Sequence, residues 1–238
     1  MEERGFGPPT PREGNPLDSN SLLELLWLGR LTIIPLGIGS VVALAIFFER
    51  LWRYRGIAEG TRSLTRDTIE ALVRRDIEAA KRLCSDSSQP IAQIYLEAMR
   101  WKNVALEDLE RVLATSRQEA AADLKRGLWI VGTIGSLAPY VGLFGTVVGI
   151  LRAFRDMAIQ GVGGFEVVAA GISEALIATA VGLAVAIVAL MFFNYLQTRA
   201  GALAAVYARS CERFVQALLF VEASTDEEGA DGQLVPAR

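Results

Sequence analysis

Apolar residues fall in three blocks along the chain, with the charged residues gathered between them. The block at 127–151 carries no charge from Leu128 to Leu151, and the block at 167–193 holds one ionisable residue, Glu174. About 20 apolar residues let an α-helix cross ~30 Å of hydrocarbon, so each block predicts a membrane span. The block at 31–48 is shorter and carries Pro35 near its start, where a helix tolerates proline. It ends abruptly in Glu49-Arg50-Leu51-Trp52-Arg53-Tyr54-Arg55. Basic and aromatic residues clustered at one end of a span mark a cytoplasmic interface.

The stretches between are polar but patterned. Residues 1–20, rich in Pro, Gly and charge, predict a flexible tail. They do not look like a secretory leader, because the apolar run begins too late. Residues 21–29 predict an amphipathic helix capped by Asn20 or Ser21, which either lies at the interface or extends the first span; together 21–49 form one unit. Within 50–126, Leu64, Ile69, Leu72, Val73, Ile77 and Ala80 fit one broad helical stripe. A break is predicted at 85–90, then helices at 91–99 and 106–124, the last running straight into the second span. Residues 152–166 predict a loop turned by Gly161, Gly163 and Gly164. Residues 194–223 continue the third span as an amphipathic helix, and 224–238 read as a disordered tail. Strand signals are nearly absent. The expected fold is all-α: a polytopic membrane protein with three transmembrane helices, the second and third extending into a helical cytoplasmic bundle.

Charge sets the expected orientation. Arg and Lys recur through 56–126 and are few in 152–166, so the positive-inside rule puts the large segment and the C-terminus in the cytoplasm and the N-terminus outside. Arg30, Arg152 and Arg155 dissent. The net charge of −3 shows no basic excess that would suggest nucleic acid. Cys84 and Cys211, both assigned to the cytoplasm, are expected to stay reduced. With no histidine and no cysteine cluster, no zinc site or His-based catalysis is expected. Gly161-Val162-Gly163-Gly164 lacks the Lys-Ser/Thr of a phosphate loop. The chain is read as no enzyme, with no metal and no cofactor.

The chemistry that remains lies inside the spans. Gly142, Gly145 and Gly149 fall at i, i+3 and i+7, one side of a helix, where small residues admit a neighbouring helix. Thr146 sits among them; its hydroxyl either bonds back to the Gly142 carbonyl or faces a pore. A carboxylate costs ~2.5–3.5 kcal/mol at the centre of a span, so Glu174 faces the bundle interior or a cavity, with snorkelling the bland alternative. Gly171, Glu174, Ala178 and Gly182 share a face, and Thr179 lies roughly 140° around from Glu174. One helix can then address a neighbour on one side and a pore on the other.

Two stretches carry a resemblance: Ala138-Pro-Tyr-Val-Gly142-Leu-Phe-Gly145-Thr146-Val-Val-Gly149-Ile-Leu151 and Gly171-Ile-Ser-Glu174-Ala-Leu-Ile-Ala-Thr179-Ala-Val-Gly182-Leu183. They resemble the MotA/TolQ/ExbB proton-channel family, most of all its ExbB and TolQ branches. The resemblance implies a homopentamer in the bacterial inner membrane with a periplasmic N-terminus. It would surround an ExbD- or TolR-like single-span partner whose aspartate bears the proton. It implies that Thr146 and Thr179 line the pore, that Glu174 is the family glutamate of span three, and that work passes to a TonB- or TolA-like protein. The first hundred residues match in plan rather than in words. A TolQ-like role is the close alternative. A flagellar stator fits less well, having four spans. A packing scaffold and a secondary transporter are the rivals from other classes, and no inverted repeat is evident.

Overall fold

The computed structural model describes residues 30–100, 106–160 and 165–231. Every element among these residues is a helix: α1 (Arg30–Arg53), α2 (Ile57–Val73), α3 (Ile77–Ser85), α4 (Pro90–Arg100), α5 (Leu106–Lys125), α6 (Leu128–Gln160) and α7 (Phe165–Asp231). Three of the helices are long and apolar enough to cross a membrane. The protein is an all-α polytopic membrane protein. The readings of 1–20, 21–29 and 232–238 lie outside the described residues.

The described chain divides into two compact units, one reaching to Ser40 and taking in Gly135–Ile187, the other made of Val41–Ile134 and the chain from Val188 onward. The first unit contains Thr32, Thr146, Glu174 and Thr179 of the spans. Its buried apolar centre is Leu36 of α1, Ala138 of α6 and Ala186 of α7. Alanine at two of these three places lets the backbones come close, the arrangement membrane helices use in place of a hydrophobic driving force.

The second unit is built around large side chains. Tyr95 of α4 stacks on Phe214 of α7, ring centroids 4.2 Å apart, and both are fully buried. A buried phenol needs a partner. Tyr95 Oη has one in the Thr65 hydroxyl at 2.8 Å, and Thr65 in turn donates to the Thr61 carbonyl at 2.6 Å. Tyr54, just past the end of α1, donates to the Leu124 carbonyl at 2.5 Å and so ties that end to the C-terminus of α5. Phe47 stacks on Phe192 at 4.0 Å. Both cysteines are free and buried, as expected of reduced thiols. Burial pushes the Cys84 thiol up from its ordinary pKa, with a hydrogen bond from Thr68 opposing, and burial likewise raises Tyr95.

Several boundaries differ from the sequence reading. The stripe from Leu64 to Ala80 is not one helix: Arg75 takes a left-handed backbone (φ 62°), and Asp76 starts α3 by accepting from the Ala79 N–H at 2.9 Å. An aspartate cap followed by Ile77-Glu78 competes successfully with continued helix. Nor does α5 run straight into α6; the chain turns at Arg126-Gly127, with Gly127 at φ 79°. Conversely, α6 does not stop at Leu151 but continues through Arg152 and Arg155 to Gln160. Nothing in 152–160 breaks a helix once the apolar run ends; the turn read at Gly161, Gly163 and Gly164 lies outside the described residues. α7 likewise continues to Asp231, through residues read as a disordered tail.

Candidate intramembrane site

The glycines of the two apolar stretches meet along one antiparallel seam between α6 and α7. A methyl group added at Gly182 would lie 2.7 Å from the Ala138 carbonyl oxygen. At Gly142 it would lie 3.0 Å from the Ala178 carbonyl and the Thr179 Cα. At Gly145 it would meet the Ala178 Cβ and the Thr32 hydroxyl, each at 3.0 Å, and at Gly149 the Ala175 Cβ at 2.7 Å. At Gly171 it would run into the Ala153 Cβ. Ascending one helix and descending the other, the small residues recur in steps of three or four. That is the spacing at which side chains stay on one face of a helix. Each step leaves room for a hydrogen or a methyl and nothing larger.

The hydroxyls lie within this seam or beside it. Thr179 Oγ1 donates to the Gly142 carbonyl at 3.0 Å, a bond from one helix to the backbone of the other. Gly142, lacking a side chain, leaves its carbonyl open to such an approach. Thr146 is 8 % exposed and donates to the Leu143 carbonyl at 2.7 Å, not to that of Gly142. Both hydroxyl protons are therefore committed to backbone oxygens, and what each threonine still offers is lone pairs.

The separation of Thr179 from the packing face is corrected by this geometry. Thr179 packs against α6 itself, and Ala175 rather than Glu174 occupies the step opposite Gly149. Glu174 is half-buried, and Arg152 of α6 acts on it electrostatically. The sequence reading left Arg152 in a loop; the continuation of α6 carries it to the level of Glu174. Thr32 of α1 was also missed. It is buried and lies where a Gly145 side chain would be. A lone threonine at the start of a span gives no signal until the partner glycine is known.

A family model for the MotA/TolQ/ExbB proton channel family matches residues 86–209, which include both stretches and the seam. The chain belongs to that family. It is 32 % identical over 179 residues to a putative biopolymer transport protein, ExbB-like 1, of Synechocystis, covering 74 % of this chain and 70 % of the relative. It is 33 % identical over 180 residues to the biopolymer transport protein ExbB of Salmonella typhimurium, covering 71 % of this chain and 72 % of the relative. It is 36 % identical over 126 residues to the Tol-Pal system protein TolQ of Pseudomonas aeruginosa, covering 53 % and 54 %. Within the family's matched region lie Glu174, Thr146, Thr179 and all five glycines of the seam. Thr32 and Arg50 lie before it. Arg50, read from the sequence as part of an interfacial cluster, is buried at 6 % exposure, with the Glu49 carboxylate 3.7 Å away.

Proposed function

We propose that this proton-channel family member is an ExbB-like inner-membrane subunit. With an ExbD-like single-span partner, it couples the proton motive force to a TonB-like protein for energised uptake across the outer membrane. The N-terminus is periplasmic, the segment 50–126 and the C-terminus are cytoplasmic, and the working unit is a homopentamer. Thr146, Thr179 and Glu174 line the proton pathway, while Gly142, Gly145, Gly149, Gly171 and Gly182 hold the helices that carry them. The chain is not an enzyme and needs no cofactor.

The observation that supports this reading is the hydroxyl geometry of the seam. A threonine whose proton is committed to a carbonyl presents an acceptor. It receives a hydrogen bond from a protonated carboxylic acid or from a water carrying the proton, and offers nothing to a carboxylate. Such a site favours the loaded carrier over the empty one without holding it by charge, so the proton can leave again. Glu174, with Arg152 acting on it, adds a group able to exchange a proton near the same helix pair. One charge moving through 100 mV releases ~2.3 kcal/mol, so several protons suffice for a mechanical step.

The likeness to a protein named TolQ keeps a second reading open, a TolQ-like subunit of an envelope-integrity system. Purification from native membranes with native mass measurement separates the readings. A fivefold assembly retaining a single-span protein with a membrane aspartate supports the motor, and co-purifying TonB- or TolA-type protein selects the branch. A lone monomer with no such companion would sink it. Reconstituted with that partner, the wild-type complex passes protons down an imposed gradient, and Glu174→Ala does not.

A further inference from the structure

The second unit carries a group of charges that proton transfer in the membrane does not use. Arg62 of α2 and Arg209 and Arg213 of α7 line one cavity of about 270 Å³, with Val206 and Ser210 completing it. None of the three guanidinium groups has an ion-pair partner among the described residues. Two acids of α2 are engaged elsewhere: Asp67 with Arg66 at 3.2 Å and Glu70 with Arg74 at 2.6 Å. Glu212, the acid next to Arg213 on α7, pairs with Arg117 of α5 at 3.9 Å. Three like charges thus converge on a concavity whose lining among the described residues includes no acidic side chain.

The cavity is formed by rigid parts. Arg209 and Arg213 are one helical turn apart on α7, so they present to the same side. Ser210 between them is 6 % exposed and lies beside Tyr95, the phenol that meets Thr65 and stacks on Phe214. The floor is therefore part of the buried core, and the arginines at the rim are exposed. A second cleft of about 430 Å³ shares Arg62, Ser210 and Arg213 and adds Thr65, Arg66, the apolar Ile69 and Val73, and Glu70, the acid paired with Arg74.

We propose that this cavity binds a phosphate-bearing small anion, such as a diphosphate or a phosphate monoester. Planar guanidinium forks match phosphate oxygens in pairs, and three of them neutralise two or more negative charges. A volume just under the ~300 Å³ at which drug-sized pockets begin suits one or two phosphate groups. The adjoining cleft, with its apolar wall, has room for an organic group attached to them. Position separates the two sources of such a phosphate. Arg209 lies 16 residues past Phe193, the end of the apolar run, which is about 24 Å along an unbroken helix at 1.5 Å per residue. The headgroup layer extends only about 5–8 Å beyond the hydrocarbon. A soluble anion reaches the site directly, and a lipid phosphate only if the helix lies steeply tilted.

The test is calorimetric titration of inorganic pyrophosphate into the full chain in phosphatidylcholine nanodiscs at low salt. Saturable binding is expected, weakened about tenfold by Arg209→Gln and further by the Arg209→Gln/Arg213→Gln pair, while Arg111→Gln on α5 leaves it unchanged. Repetition in phosphatidylglycerol nanodiscs distinguishes the sources: unchanged affinity identifies a soluble anion, and competition by the lipid identifies a headgroup, either one occupying the proposed site. Two outcomes overturn the proposal. One is no saturable binding by a chain whose circular dichroism and assembly are intact. The other is binding that Arg111→Gln weakens as much as the cavity variants do. If instead the double variant binds nothing but dissociates its oligomer in native mass spectra, the arginines face another copy and the anion site is refuted.

Discussion

The Thr179 hydroxyl of α7 donates to the Gly142 carbonyl of α6 across 3.0 Å, a polar contact made within the small-residue seam. The same bond joins the packing of the two helices to the chemistry proposed for them. Thr179→Val keeps the shape and removes the oxygen. Interhelical hydrogen bonds of this kind average ~0.6 kcal/mol in membrane proteins, so the fold survives the change. Proton flux in reconstituted liposomes is expected to fall to background in Thr179→Val and to persist in Thr179→Ser. Undiminished flux in the valine variant would remove Thr179 from the pathway.

The seam makes a steric prediction. Gly182→Ala places a methyl 2.7 Å from a backbone carbonyl that cannot swing away, and overpacking of this kind costs ~1–3 kcal/mol. Gly201→Ala on the same helix meets nothing within 4 Å and replaces a poor helix former with a good one, a gain of up to ~1 kcal/mol. Thermal unfolding in detergent should order the three proteins as Gly201→Ala, wild type, Gly182→Ala, from most to least stable.

The turn between α5 and α6 depends on a left-handed residue. Gly127 sits at φ 79°, and a side chain there costs ~1–2 kcal/mol. Gly127→Ala is therefore expected to destabilise by about that much, although there is space for the methyl: its nearest neighbour is an Arg50 nitrogen 3.8 Å away. Unfolding of Gly127→Asn should fall between the two, because asparagine tolerates this conformation.

Cys84 and Tyr95 set a limit in alkali. Burial raises both, so the unfolded chain loses these protons first, from its ordinary values of 9.0 and 10.0. Their contribution to stability is fully present below about pH 9 and is lost as pH rises toward the folded values. Stability should be level from pH 6 to 8 and decline above 9, and Tyr95→Phe should flatten that decline. At pH 8, native Cys84 and Cys211 should resist iodoacetamide and react on unfolding, and replacing both with serine should leave assembly intact.

How much of this was legible beforehand depended on how local each signal was. The spans followed from apolar length alone, since a helix in lipid satisfies its own backbone and no partner need be known. The glycine spacings on α6 and α7 were legible for the same reason, as positions on a helix face. What eluded the sequence was set by competition or by a second chain segment. Asp76 beat a continuing stripe with one capping bond. Thr146 turned to Leu143 rather than Gly142, and Thr179 crossed to α6 instead of pointing away, because a carbonyl bared by glycine is visible only when both helices are present. Arg50 looked like an interfacial charge because nothing in Glu49-Arg50-Leu51 announces that the guanidinium is buried.

A seam whose every step is a hydrogen or a methyl also behaves as a mechanical joint. Sliding α6 past α7 by one residue would drive the Ala175 and Ala178 methyls into backbone, and opening the pair would expose the Thr179–Gly142 bond to lipid. The seam gears the two helices together, so in the motor proposed above the working stroke is expected at their outer surfaces and not between them.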